Sequence, residues 1–108
     1  MNYPSESVIQ KQSIQALKTM GYTVYRSNAG NGGNYHIQAL PKGFSDCFGY
    51  DKSGRYFEIE FKDHRGKPRD VQIENHERLT KDHIIHGLAR SPEEAIKIVT
   101  HGLIGFGF

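Results

Sequence analysis

The chain has 108 residues, 36% of them hydrophobic and 24% charged, and a formal net charge of +2. That length suits one domain spanning 1–108, and the near-neutral balance excludes a polybasic chain that grips nucleic acid by charge alone. A single cysteine excludes an internal disulfide and fits a reducing compartment, no apolar run is long enough for a membrane span, and the N-terminus is no signal peptide, so a soluble, cytoplasmic protein with no membrane partner is expected.

Residues 5–20 are predicted helical. Ser5 can cap the helix, Ile9, Ala16, Leu17 and Met20 form an apolar stripe with Ser13 between them, and Gly21 can end it. Glu6, in the first turn, is spaced to lie beside Ile9 and Ser13. It is either a surface carboxylate favoured by the helix dipole or an inward-facing group. Tyr22 to Asn28 reads as a strand, and a Gly- and Asn-rich loop follows from Ala29 to Asn34. The loop lacks phosphate-loop spacing and a Gly-Lys-Ser/Thr, so no nucleotide cofactor is expected. It is either a flexible connection or a substrate-contacting loop, with Tyr35, His36 and Lys42 at hand.

Residues 45–51 and 55–62 read as a hairpin turned at Ser53-Gly54. Alternation puts Phe57, Ile59 and Phe61 on one side of the second strand, and Tyr56, Glu58, Glu60 and Lys62 on the other. Asp46, Phe48 and Tyr50 share a face of the first strand, and Tyr50 and Tyr56 either stack on a ligand or pack. Cys47 falls on the opposite face, as a buried small side chain rather than a nucleophile.

Asp63 to Arg69 is a polar loop whose Arg65, Lys67 and Arg69 follow directly on the acidic strand and form a candidate phosphate-contacting edge. Asp70 to Lys81 is predicted helical, capped by Asp70 or begun at Pro68, with a thin apolar stripe of Val71, Ile73 and Leu79. His83 to Ala89 reads as a short strand, in which His83 and His86 take opposite faces and do not chelate together. Ser91-Pro92-Glu93-Glu94 starts a last helix that Gly102 ends. The apolar tail, 103–108, either adds an edge strand or packs against a second subunit. The order is αβββαβα, an α/β fold with a mixed sheet flanked by helices.

Asp46, Glu60 and Lys62 carry the chemistry. Two neighbouring carboxylates stay ionised most easily around a cation, and an oxygen donor set suits Mg²⁺ or Mn²⁺. An adjacent ammonium can orient a water or offset charge on a phosphoryl group, which is the equipment of phosphodiester hydrolysis. Glu58 shares the face without the Lys spacing, and is expected to pair with a basic residue or to support the site from behind.

Gly43-Phe44-Ser45-Asp46 followed by Glu60-Phe61-Lys62 resembles the PD-(D/E)xK nuclease core. More narrowly, the chain resembles the VRR-NUC (virus-type replication-repair nuclease) domain. The further matches are Glu6 in the first helix, Arg26-Ser27-Asn28-Ala29-Gly30 after the first strand, Gln72 in the next helix and Ser91-Pro92-Glu93-Glu94-Ala95 in the last. One departure is Ser45, where the family usually has Pro.

The resemblance implies a Mg²⁺- or Mn²⁺-dependent endodeoxyribonuclease in which Asp46, Glu60 and the Phe61 carbonyl bind the metal. Lys62 steadies the reacting centre, Glu6 is a further ligand or supporting group, and Gln72 orients Lys62 or the metal waters. Arg26 and His36 join Arg65, Lys67, Arg69 and Lys42 as substrate contacts. It further implies branched or flapped DNA as substrate, a Holliday junction included, and a homodimer, in host cytoplasm if the chain is phage-encoded. Two other readings compete: a catalytically silent nucleic-acid-binding module of the same fold, and an assembly protein built on the apolar tail.

Overall fold

The computed structural model describes residues 2–27 and 40–108. Its elements run α1 (Glu6–Thr19), β1 (Thr23–Arg26), β2 (Cys47–Tyr50), β3 (Tyr56–Phe61), α2 (Asp70–Lys81), β4 (Ile85–Ala89), α3 (Pro92–Thr100) and β5 (Ile104–Phe106). This is the expected order with one more strand at the end. The sheet is ordered β1-β2-β3-β4-β5, antiparallel across β1, β2 and β3 and parallel from β3 to β5. Parallel neighbours need a crossover, and α2 and α3 supply it.

Local chemistry explains the boundaries. Ser5 Oγ accepts from the Val8 N–H and starts α1, and Gly21 follows its end in the left-handed region at φ +94. In the β2–β3 turn, the Asp51 carboxylate accepts from the Ser53 N–H, the Ser53 hydroxyl and the Arg55 N–H at 2.8–2.9 Å. These bonds, the Arg55 backbone N–H foremost, pull the Asp51 pKa down to about 2. Ser91 Oγ caps α3 by accepting from the Glu94 N–H. Glu94 in turn accepts from the Arg90 N–H at 2.7 Å, one residue short of the reciprocal box the sequence suggests.

The apolar face of the sheet is the core. Phe57, Ile59 and Phe61 are fully buried, as alternation predicts, against Ile9 and Leu17 of α1 and Ile98 of α3. Burial of each such side chain contributes roughly 1.5–3 kcal/mol. Cys47 lies in this core, and burial pushes its thiol pKa up, so it is no nucleophile.

The opposite face is different in kind. There α2 packs on β4 and β5 and buries Gln72, His76 and Leu79. Two of those three are polar, which is why the apolar stripe of α2 looks thin in sequence. The strand predicted from His83 begins instead at Ile85: His83 sits in the turn after α2 with φ 59, so the two histidines do not share a strand. The tail adds an edge strand, β5, parallel to β4.

Candidate active site

Asp46 stands just before β2, where the ladder to β3 breaks. Its Oδ2 accepts from the Phe61 N–H at 2.8 Å, in place of a backbone carbonyl. A residue's N–H and C=O leave a strand on the same edge, so the Phe61 carbonyl also faces Asp46. Gly43 makes this turn possible. It has φ +84, and a Cβ there would collide with the Val71 carbonyl at the start of α2.

Glu60 is 0% exposed. Its Oε2 accepts from Gln72 Nε2 at 2.6 Å, while its Oε1 is buried with no hydrogen-bond partner. Gln72 also accepts the Arg69 N–H through Oε1 at 2.8 Å, so one amide caps α2 and orients Glu60. The cap residue is therefore Arg69, whose side chain has no acceptor, rather than Asp70. Burial, then the Asp46 charge, pushes the Glu60 pKa up to about 8. Asp46 is also raised, by burial first, against the pull of its Phe61 bond. Both shifts describe a pair of acids drawn out of water, whose burial outweighs the pull of Lys62 and the nearby arginines.

Lys62 follows Glu60 by two residues, and its Nζ lies 3.7 Å from Glu6 Oε1. Glu6 thus reaches the site from the start of α1 as the counter-charge of Lys62, and its charge raises both Asp46 and Glu60. Among the described residues no group of three His, Cys, Asp or Glu is arranged to hold a metal ion. The oxygens on offer are those of a carboxylate pair and a backbone carbonyl, not of a side-chain cage. An unpartnered buried carboxylate oxygen beside a second acid fits a hard divalent cation that keeps most of its waters.

The basic residues surround this pair unequally. Lys42, Asp46, Arg69 and Gln72 line one cleft of about 500 Å³. Arg26 ends β1, and its charge, like that of Lys62, lowers the Asp46 pKa. Arg65 and Lys67 are exposed on the loop beyond Lys62. That loop is held by Arg90, whose guanidinium donates to the Asp63 and Gly66 carbonyls at 2.6 and 2.7 Å. Arg90 was not legible as a site residue, because its role is to two carbonyls far off in sequence. His36 lies outside the described residues, as do Asn28 to Gly30 of the motif after β1 and Tyr35.

Behind the acid pair runs a buried polar chain. The Glu58 carboxylate accepts from Tyr56 Oη and Ser45 Oγ at 2.8 Å, and from Asn75 at 3.2 Å. Its partners are neutral donors, so of the two expected roles it takes that of a support behind the site and not that of a partner to a basic residue. Ser45, having donated to Glu58, accepts from His76 Nε2 at 2.9 Å. That fixes the tautomer: His76 Nδ1 carries no proton and must accept from His86 Nδ1, 2.7 Å away. His86 Nε2 then accepts from the Thr80 hydroxyl at 2.7 Å. Both imidazoles are neutral in this chain. Burial draws His76 down to about 3, helped by the neighbouring His86, and His86 down to about 4. Phe108 stacks on His76 with ring centroids 4.1 Å apart. The chain ends at Ser45, whose carbonyl is held by the Ser27 hydroxyl, and so fixes the backbone from which Asp46 projects.

The fold defines the class: an α/β domain whose mixed five-stranded sheet is flanked by helices and carries an acid pair beside its antiparallel end. A solved structure described as a VRR_NUC domain is similar to this chain with a TM-score of 0.68 and 23% identity, over 91% of this chain and 97% of its own. At that identity the likeness is one of fold, and the chain has the VRR_NUC fold. The sequence matches no family model and no curated protein. No helix among the described residues is long and apolar enough to cross a membrane.

Proposed function

We propose that the chain is a VRR-NUC nuclease, a divalent-metal-dependent endonuclease that hydrolyses phosphodiester bonds in DNA. One observation carries this reading: Glu60 is buried beside Asp46 with a carboxylate oxygen that has no partner. A carboxylate in that state costs stability unless a cation shares it. Asp46, Glu60 and the Phe61 carbonyl hold Mg²⁺ or Mn²⁺, which when bound acidifies a water and draws charge from the phosphate.

The other residues bind, aim and balance. Gln72 fixes the orientation of Glu60, leaving one oxygen free for the ion. Lys62 presents an ammonium to the charge that develops on phosphorus, and Glu6 holds that ammonium in place. Lys42 and Arg69 in the cleft, Arg26 at the end of β1 and the Arg65-Lys67 loop contact phosphates. We extend the reading to branched DNA, including Holliday junctions and flaps, and to a homodimer. Two-fold symmetric cutting of a junction needs two sites, and one chain carries one. The single free thiol, Cys47, suits a cytoplasmic setting.

The test is cleavage of a labelled panel of duplex, flap and four-way DNA with Mg²⁺, Mn²⁺ or EDTA. Metal-dependent cutting is expected, abolished in Asp46→Asn and Glu60→Gln with DNA binding retained. Cutting at the unmodified rate by either variant removes the metal-site assignment. Binding without cutting under every metal condition selects the catalytically silent module instead.

A further inference from the structure

Among the described residues, the face of the sheet that carries Glu58 and Glu60 is only half covered. Helix α2 packs on β4 and β5, away from the antiparallel end. At that end Tyr25 of β1, Phe48 and Tyr50 of β2, and Tyr56 of β3 lie on this same face, by alternation and register: Tyr25 is opposite Phe48, and Tyr50 is opposite Tyr56. Phe48 is the hub, with ring centroids 5.7 Å from Tyr25, 5.7 Å edge-on from Phe44 and 6.4 Å from Tyr56. Tyr25, Tyr50 and Tyr56 remain 53%, 46% and 39% exposed. A water-facing antiparallel sheet is ordinarily polar. Here it is a contiguous ring surface, and along β2 the row Tyr50, Phe48, Asp46 runs straight into the acid pair.

We propose that this aromatic face binds the unstacked bases of single-stranded nucleic acid and leads that strand toward Asp46 and Glu60. The proposal rests on the nuclease reading for the direction of the strand, not for the contact itself. Rings on a sheet stack bases without regard to sequence, whereas a duplex keeps its bases stacked inside and shows such a surface only edges and phosphates. Charge selects the occupant. Arg69 and Lys42 share the cleft with Asp46, so cations border the rings on the site side, while Arg26, next after Tyr25 in β1, leaves the opposite face. In a two-fold contact with a second copy the patch meets only its own rings and bordering cations, with no polyanion to match them. A polyanion with exposed bases satisfies rings and cations together. The carboxylate within the face, Glu58, is buried and turned to its donors.

The experiment is fluorescence anisotropy in EDTA, where cleavage is silent, with labelled oligo-dT and a duplex of equal length at several salt concentrations. Tyr25→Ala and Tyr50→Ala, at separate points on the face, are each expected to lose about tenfold in single-strand affinity, and less than twofold for duplex. Tyr25→Phe should restore binding. The salt slope should not change in the ring variants, because rings neutralise no phosphate, while Arg69→Ala should flatten it. Unchanged single-strand affinity in both alanine variants, or equal losses on duplex, overturns the proposal. So does sedimentation showing a dimer that Tyr25→Ala dissociates, which assigns the face to a second copy. Failure to cut DNA with any metal, alongside ring-dependent binding, would sink the nuclease reading and leave this one standing.

Discussion

The acid pair makes a prediction about stability that needs no substrate. In the metal-free protein Glu60 has a pKa of about 8, against 4.5 for the free side chain. A raised folded pKa means that between those values the folded state holds a proton the unfolded state lacks. Stability is therefore full below 4.5 and is lost as pH rises through 8. The slope is about 1.4 kcal/mol per pH unit, and on the order of 5 kcal/mol over the whole range. Asp46 is shifted in the same direction and adds to it. His76 and His86 oppose this from the acid side. Their folded values of about 3 and about 4 lie below the ordinary 6.5, so the unfolded state takes up both protons first as pH falls below 6.5. That costs up to about 2.7 kcal/mol per unit for the two together. The Glu60 gain offsets half of it, leaving a net acid slope of about 1.4 kcal/mol per unit.

The metal-free chain should thus be most stable near pH 6.5 and fall away on both sides. Urea unfolding in EDTA from pH 5 to pH 8.5, followed by circular dichroism, reads the curve directly. In Glu60→Gln the alkaline limb should largely vanish, and the acid limb should steepen toward about 2.7 kcal/mol per unit. Saturating Mn²⁺ should flatten the alkaline limb of the unmodified protein, since an ion that takes the place of the proton holds the carboxylate ionised without penalty. It should do little for Glu60→Gln. Parallel pH curves for the two proteins, or a Mn²⁺ stabilisation equal in both, would refute the argument that Glu60 is an acid held for a cation.

Three substitutions probe the supports of the site. Gly43→Ala forces a Cβ into the left-handed region and against the Val71 carbonyl; it should cost at least about 1–2 kcal/mol in urea unfolding and lower activity beyond that loss. Gln72→Leu removes the cap on the Arg69 N–H and the donor to Glu60, so about 1–3 kcal/mol of stability should go, and calorimetry should show weaker Mn²⁺ binding than in Gln72→Glu. Ser13→Ala removes a fully buried hydroxyl with no partner on the core side of α1 and should raise stability by about 1 kcal/mol, read as a shift in the urea midpoint at unchanged slope.

The apolar half of this molecule was readable because burial there follows a period. Phe57, Ile59 and Phe61 alternate in β3, and α3 carries its stripe behind a Ser-Pro cap. The span Asp70–Lys81 of α2 also emerged in full, although its cap is Arg69 and not Asp70. The face of α2 did not, because a helix that buries Gln72 and His76 reads as polar. The acid pair was legible as a pattern on neighbouring strands. That Glu60 is wholly buried, with one oxygen bonded and the other bare, was not, since it depends on where α2 lands.

Ser45 shows most clearly what periodicity misses. In sequence it is only a departure from the Pro that usually precedes the motif Asp. In the fold its hydroxyl is the junction between Glu58 on β3 and His76 on α2, at 2.8 and 2.9 Å. A proline there would leave the Glu58 carboxylate without one of its donors and His76 Nε2–H without an acceptor, each buried. The chain Thr80, His86, His76, Ser45, Glu58 has a single consistent direction of donation, set at one end by a carboxylate that accepts. Each member is explained only by the next, and the members come from β3, α2, β4 and the loop before β2. A histidine at 76 is unremarkable until Ser45 is seen to need a donor, and His86 until His76 does. Such a network specifies how α2 seats on the sheet, and hence where Gln72 meets Glu60, through partners that no local pattern in the sequence announces.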